Sequence, residues 1–354
     1  MNPEPPPRRI SQRDIAKHLG VSHVTVSMAL RNNPRVSAKV REKIRQFAEQ
    51  AGYTPDPMLA ALSNYRLSRT VSPIHSAIAW INAWPRPEQL RTFKEFDCYW
   101  KGAFAAAGKF GYRLEEFRLG ADITPKRLHQ ILTARGIRGL LLPPQKPHPD
   151  WSDFPWSEYY VVRFGRSLVT PNTHLVTADQ VSNTMLAFDE ILKLGYRRIG
   201  LITENTRIRE SGHMFEGGFV LAQRNIENKH RVAPFPFGSF SPSQRGKAIA
   251  AWIHKNKVDA IFTDVAEIPV LLAKAGIKIP DDVGLAVTSV LDTNADSGIN
   301  QQPEEIGRVG FLMLNSVIND GAKGIPAIFR QILVEGSWVG GNSLPDRLIK
   351  GQAG

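Results

Sequence analysis

The chain has 354 residues, of which 42% are hydrophobic and 22% are charged, so we expect two or three domains with buried cores. The net charge is +12, and residues 1–70 hold 12 Lys and Arg against 5 Asp and Glu. More than half of the excess charge therefore lies in one fifth of the chain, which is typical of a nucleic-acid-binding segment.

The sequence also excludes several classes of protein. The single cysteine, Cys98, rules out an internal disulfide and a cysteine-based zinc site and suits the cytoplasm. No apolar run approaches ~18 residues, so no membrane-spanning helix is predicted. Residues 1–9 are rich in proline and are predicted to be a disordered tail, not a signal peptide. Because phosphate-loop, nucleophile-elbow and metal-ligand motifs are missing, we predict no enzyme, catalytic residue, metal or cofactor.

Residues 10–55 are predicted to form a helix, a turn and two further helices. Ser11 and Asp14 predict a capping box at the start of the first helix. Ser22 and Ser37 stand where side-chain caps of the second and third helices are expected. A helix-turn-helix places its second helix in the major groove of DNA. The alternative is a three-helix bundle whose basic face is simply solvated.

The chain beyond a polar linker at 65–75 alternates strands with helices. The predicted strands span 76–81, 112–117, 139–142, 159–164, 198–203, 258–262 and 283–288. The predicted helices span 93–110, 125–134, 179–194, 210–228 and 243–256, with another beginning at 304. This alternation predicts parallel, doubly wound sheets. Restarts near 76 and 197 predict two α/β lobes around a cleft within residues 76–354.

The order of motifs resembles the lactose/galactose repressor (LacI-type) family of transcriptional regulators. The first 64 residues carry VSHVTVSMAL, then VSAKVREKI, then AGYTPDPMLAALS, as the family's helix-turn-helix headpiece and hinge do. LKLGYRRIGLIT, KIPDD, INQQP and LVEGSW resemble its periplasmic-binding-protein-like core. The resemblance implies a repressor that binds a palindromic operator in double-stranded DNA as a homodimer. It also implies release by a sugar-like effector bound in the cleft.

The resemblance gives three residues of the second helix a role in reading bases. These positions are His23, Val24 and Met28. Val24 and Met28 offer only apolar contact, for example to a thymine methyl group, and the family often carries a long polar residue where Met28 stands. The operator is therefore expected to differ from those of relatives. Side chains with hydroxyl, amide or guanidinium donors are expected to contact phosphates, namely Ser22, Thr25, Asn32, Arg35 and Ser37. The alternative for His23 is an exposed side chain without a role.

Residues 56–64 are expected to form a hinge helix. In the family this segment pairs with that of the dimer mate and inserts a leucine into the minor groove, a position that Leu62 holds here beside Ala61. The alternative for Leu62 is packing between the headpiece and the core. The segment after 340 lacks a heptad pattern, so no coiled-coil arm is expected.

The cleft departs most from the family. The effector candidates are Asn82, Trp84, Asp179, Phe215, Asp264 and Ser289. Phe215 stands where sugar-binding relatives carry an Arg, and an ungapped count places Ser289 where they carry an Asp. The aromatic residues suit a saccharide or a flatter ligand. The alternatives are that Trp84 and Phe215 are core residues and that Asp179 only caps a helix.

Two other functions remain open on the sequence alone. One is a regulator with a degenerate cleft that binds DNA constitutively. The other is a ligand-binding module or enzyme whose basic amino-terminal bundle does not read DNA.

Overall fold

The structure, a computed structural model, describes residues 10–30, 35–53, 76–120, 123–145, 150–204 and 213–350. The predicted tail, hinge helix and linker lie outside these ranges, as do Asn32, Ala61 and Leu62, and they stay predictions. Within the described ranges, no helix is long and apolar enough to cross a membrane.

The amino-terminal domain consists of α1 (Gln12–Leu19), α2 (His23–Leu30) and α3 (Ala38–Gln50). The predicted capping box is present, since Ser11 N donates to Asp14 Oδ2 at 2.9 Å and Asp14 N donates to Ser11 Oγ at 3.3 Å. Ser37 occupies the N-cap of α3 but makes no side-chain cap there, so that detail of the prediction is wrong. The small core of the domain contains Ile15, Ala16, Val26, Ala29, Val36, Ile44 and Ala48.

The first lobe contains a six-stranded parallel sheet. Its strands are β1 (Ser76–Asn82), β2 (Tyr112–Arg118), β3 (Gly139–Leu142), β4 (Tyr160–Phe164), β5 (His174–Ala178) and β10 (Gln331–Val334). They lie in the order β10-β5-β4-β3-β1-β2. The helices of this lobe are α4 (Lys94–Lys109), α5 (Pro125–Ala134) and α10 (Pro303–Asp320). Helices α4 and α10 bury one face of the sheet, and α5 buries the other.

The second lobe contains a five-stranded sheet. Its strands are β6 (Ile199–Ile202), β7 (Ala260–Thr263), β8 (Gly284–Val287), β9 (Gly298–Asn300) and β11 (Ser337–Val339). All pair in parallel except β11, which is antiparallel to β9. The helices are α6 (Gln180–Lys193), α7 (Met214–Gln223), α8 (Pro242–Asn256), α9 (Ile268–Lys274) and α11 (Arg347–Lys350). Helices α6 and α7 cover one face, and α8 and α9 cover the other. Short 3-10 helices occur in both lobes, at Pro87–Thr92, Trp156–Glu158, Asn228–His230 and Phe237–Ser239.

The chain crosses from one lobe to the other at three places: after β5, after β9 and after β10. The predicted fold class is confirmed: a helical headpiece precedes a two-lobed α/β core with parallel sheets. The predicted restart near 197 is wrong, because α6 already packs on α7 and the second sheet. The prediction also lacked β5 and made α7 too long.

Candidate DNA-binding surface and interlobe cavity

The start of α2 presents an exposed surface. Val26 and Ala29 are completely buried against the rest of the domain, so residues on the opposite side of α2 point outward. His23 is exposed, and 61% of Val24 is exposed, although valine is usually buried. Ser22 Oγ accepts a hydrogen bond from Thr25 N at 3.0 Å, which fixes the first turn of α2.

The other predicted DNA contacts differ in how accessible they are. Ser22, Arg35 and Ser37 are exposed, and Thr25 is half-buried. Met28 is also half-buried and packs against the core of the domain, so less of it can reach a base than predicted.

A cavity of about 270 Å³ lies between the two lobes. Its lining comes mainly from the segments that follow the carboxyl ends of the parallel strands, which is where open α/β sheets bind ligands. The lining residues are Trp84, Phe93, Glu95, Phe96, Tyr99, Pro144, Gln145, Gly165, Arg166, Ser167, Thr177, Gln180, Phe215, Asp264, Ala266, Thr288, Ser289, Asp292, Thr293 and Gln301.

Both lobes line the cavity with polar groups, and most of its aromatic rings come from the first lobe. The polar lining residues of the first lobe are Glu95, Gln145, Arg166, Ser167 and Thr177, and the second lobe adds the ring of Phe215. The first lobe supplies an aromatic wall, in which ring centroids lie 5.4 Å apart for Trp84 and Phe93 and 5.3 Å apart for Phe93 and Phe96. Trp84 Nε1 donates to Pro144 O at 2.7 Å, which fixes the indole. The second lobe supplies hydroxyl, amide and carboxylate groups, on Thr288, Ser289, Thr293, Gln301, Asp264 and Asp292.

Four of the six predicted effector residues line this cavity: Trp84, Phe215, Asp264 and Ser289. Asn82 is completely buried, and its amide donates to Pro87 O and Glu116 Oε1 at 2.8 Å each. Its Oδ1 accepts from Trp84 N at 3.1 Å, so Asn82 holds the loop that carries Trp84.

Asp179 does not line the cavity either. Its carboxylate accepts from Ser182 N at 3.0 Å and from Ser182 Oγ at 2.8 Å. Asp179 therefore caps α6, which was the alternative role considered for it.

Three charged lining residues were not predicted: Arg166, Asp292 and Glu95. Arg166 is half-buried, donates to Gln331 Oε1 at 3.0 Å, and has its pKa lowered by burial. The nearby Arg163, in contrast, does not line the cavity. Its guanidinium is buried and donates to the carbonyls of Leu168 and Thr173 and to Asn172 Oδ1, and burial lowers its pKa to about 10. The sequence signal for Arg166 was its position directly after the strand end and Gly165.

Asp292 is the second missed residue. It lies three positions after Ser289, so an ungapped count overlooked a carboxylate that the fold returns to the cavity. Its Oδ1 accepts from Lys94 N at 2.7 Å, and its Oδ2 accepts from Glu95 N at 3.1 Å. Burial, together with the carboxylates of Glu95 and Asp292, raises the pKa of Tyr99 well above its usual value.

The described residues contain no group of His, Cys, Asp and Glu side chains placed to hold a metal ion. Cys98 lies half-buried on α4, and burial raises the pKa of its thiol.

Comparisons with known proteins identify the amino-terminal domain. The family model described as bacterial regulatory proteins, lacI family, matches residues 12–56. The chain is 47% identical over 47 residues to the probable HTH-type transcriptional repressor ExuR of Bacillus subtilis (strain 168). It is 42% identical over 53 residues to the HTH-type transcriptional regulator DegA of the same organism. These matches span 13% and 15% of this chain and only 14% and 16% of those proteins.

Solved structures extend the likeness to the core. The CelR–cellobiose complex, a transcriptional regulator, has a TM-score of 0.55 at 19% identity and covers 95% of this chain and 100% of its own. A LacI regulator from a Rhodococcus species has a TM-score of 0.55 at 14% identity, with 76% and 98% covered. A LacI family regulator from Enterococcus faecium with bound ribose has a TM-score of 0.53 at 17% identity, with 77% and 99% covered. Residues 12–56 therefore match the helix-turn-helix domain of the lacI family of bacterial regulatory proteins, and the core shares its fold with solved regulators described as members of that family.

Proposed function

We propose that the chain is a transcriptional repressor that binds double-stranded operator DNA as a homodimer and is released by a small-molecule effector in the interlobe cavity. The observation that carries the proposal is the outward pair His23 and Val24 at the start of α2, on a helix-turn-helix that matches the family. Val24 is 61% exposed, so its methyl groups are accessible to a base, and its place at the start of the second helix of the helix-turn-helix, not its exposure alone, supports the role.

The chemistry of this surface divides into two parts. In the major groove, Val24 would pack on a thymine methyl group, and the His23 imidazole would bond a base edge. Hydroxyl and guanidinium groups on Ser22, Arg35 and Ser37 would bond phosphates, which position the domain without reading sequence. A dimer would place two such helices in successive major grooves of a palindrome, with Leu62 and Ala61 at the minor groove between them.

We propose a saccharide as the effector. A sugar ring has apolar faces that stack on aromatic side chains and hydroxyl groups around its edge, and the cavity offers both aromatic rings and polar groups. Among the described lining residues, the carboxylates of Glu95, Asp264 and Asp292 outnumber the guanidinium of Arg166, which favours a neutral polyol over an anion. The CelR complex contains cellobiose, and the Enterococcus faecium structure contains ribose. A cavity lined in this way argues against the constitutive regulator with a degenerate cleft.

The test of the DNA-binding proposal is protection of DNA by the full chain. Genomic fragments bound at moderate salt should yield a protected palindrome. Replacing Val24 by Ala should weaken binding to that site about tenfold and leave binding to random DNA unchanged, because an apolar base contact carries sequence information and a phosphate contact does not. The measurement is fluorescence anisotropy on the two DNA types.

The matched control is Val169→Ala, since Val169 is also 61% exposed but lies on a loop of the core. This variant should bind both DNA types as the parent chain does. If no palindrome is protected, the regulator proposal is wrong, and the result favours the alternative of a ligand-binding module or an enzyme. Equal losses on specific and random DNA in Val24→Ala would overturn the base-reading role.

A further inference from the structure

The amino-terminal end of α4 is capped by a residue from the other lobe. The N-cap residue of this 16-residue helix is Phe93, which makes no side-chain cap. The amides of Lys94 and Glu95 instead donate to Oδ1 and Oδ2 of Asp292, at 2.7 Å and 3.1 Å. Asp292 lies in the loop after β8 of the second lobe, 198 residues from Lys94 in sequence. The hydrogen bonds therefore join the lobes across the cavity.

This contact has the features of a strong cap. The first amides of a helix lack partners within the helix, and its positive end favours a carboxylate. Hydrogen bonds to a charged acceptor are stronger than neutral ones, and here one carboxylate accepts two of them. When the lobes separate, both amides and the carboxylate must exchange these bonds for water.

Both sides of the contact belong to rigid parts of the fold. Helix α4 packs closely on α10, where Gly102 and Gly307 lie against the backbone of the facing helix. The Asp292 loop is held by Thr293 Oγ1, which donates to Ser289 O at 3.0 Å, and by Asp296, which accepts from Ser343 N at 2.8 Å. Movement at the contact is therefore movement of whole lobes.

The contact also forms part of the cavity wall. Phe93, Glu95, Asp292 and Thr293 all line the cavity. Lobe opening would separate Phe93 and Glu95, on the first lobe, from Asp292 and Thr293, on the second. Loss of these hydrogen bonds would therefore favour lobe opening and change the shape of the ligand site.

We propose that Asp292 is an interlobe latch that sets the ratio of closed to open lobes and thereby regulates access to the effector cavity. The regulatory part rests on the proposed function, because it requires an effector in this cavity. The latch itself is a property of the unliganded chain. Losing it should lower the closed-to-open ratio about tenfold, as expected for charge-assisted hydrogen bonds.

The test compares Asp292→Ala and Asp292→Asn with the parent chain, without ligand or DNA. Hydrogen exchange of the Lys94 and Glu95 amides should be about tenfold faster in Asp292→Ala, with a smaller change in Asp292→Asn, which keeps one acceptor. Fluorescent labels at Lys126→Cys and Lys274→Cys, in a Cys98→Ser background, report the separation of the lobes. This separation should increase in the same order. The control is Asp281→Ala, an exposed acid on the second lobe, which should change neither readout.

A further variant separates a latch from a simple helix cap. Phe93→Asn combined with Asp292→Ala supplies a cap from the N-cap residue of α4 itself, so exchange of the Glu95 amide should slow again while the lobes stay apart. Unchanged exchange in Asp292→Ala, or faster exchange with an unchanged lobe separation, would overturn the latch. Neither readout depends on DNA or saccharide binding, so these outcomes are distinct from failure of the proposed function.

Discussion

Replacing Gly102 by Ala is expected to destabilise the core by about 3 kcal/mol, because two helices touch where it lies. A Cβ atom at Gly102 would overlap the carbonyl oxygen of Glu304 and lie 2.9 Å from Arg308 N. A Cβ atom at Gly307 would likewise overlap the carbonyl oxygen of Tyr99. These neighbours are backbone atoms of α10 and α4, so the overlap could be relieved only if the two helices moved apart. The measurement is the midpoint of chemical denaturation of the full chain.

The matched control for this prediction is Gly108→Ala. Gly108 is exposed on the same helix, and a Cβ atom there would meet nothing within 4 Å. Alanine favours a helix over glycine, so this variant should gain about 0.5–1 kcal/mol. The close packing would be contradicted if Gly102→Ala unfolded at the same denaturant concentration as the parent chain.

Replacing Phe215 by Ala is expected to weaken saccharide binding about thirtyfold, or about 2 kcal/mol, because a half-buried ring at the cavity would be lost. Phe215 lies in the first turn of α7 and faces the cavity from the second lobe. The probe is the sugar that stabilises the chain most in a thermal-shift panel that includes cellobiose and ribose. Isothermal titration then gives its Kd for both proteins.

Leu221→Ala provides the matched control on the same helix. Leu221 is 42% exposed and does not line the cavity, so the Kd should stay unchanged. A Kd for Phe215→Ala equal to that of the parent chain would show that the sugar does not contact the ring of Phe215. If no sugar in the panel stabilises the chain, the proposed effector class is wrong.

Local sequence signals predicted the headpiece well because its determinants lie within a few residues of each other. Ser11 and Asp14 form their capping box within one helical turn, and Gly20 takes the left-handed conformation, with φ of 65°, that ends α1. Ser37 shows the limit of such signals. It occupies the N-cap position without its side chain making the bond, because a suitable residue type does not fix the rotamer.

The topology of the core was harder to predict because it depends on distant pairing. Strand β5 reads HLVTA, which is short and mixes polar with apolar residues, yet all five residues are buried between neighbouring strands. Missing this strand moved the predicted boundary between the lobes from the crossover before α6 to residue 197. The helix predicted for 210–228 ends at Gln223 in the structure, where turns replace the expected helical pattern.

The residues of the cavity, too, could be predicted only in part from the sequence. Trp84 was predicted from its place in the loop after the first strand, whereas Phe215, Asp264 and Ser289 were predicted from the positions that they share with the family's effector-binding residues, and all four line the cavity. Asp292 could not be placed by counting, because the length of the loop after β8 decides where its carboxylate lies. Asn82 was predicted to contact ligand, but its amide is fully occupied by Pro87, Glu116 and Trp84.

Coupling between sugar binding and operator binding tests the proposed control of the headpiece by the interlobe cavity. Anisotropy on the protected operator gives the DNA Kd without sugar and with the sugar at saturation. We expect the sugar to raise this Kd at least about tenfold in the parent chain, within the usual range of allosteric coupling. At the same sugar concentration the effect should be much smaller in Phe215→Ala, whose Kd for DNA alone should be unchanged. An operator Kd that stays constant at saturating sugar would contradict the account.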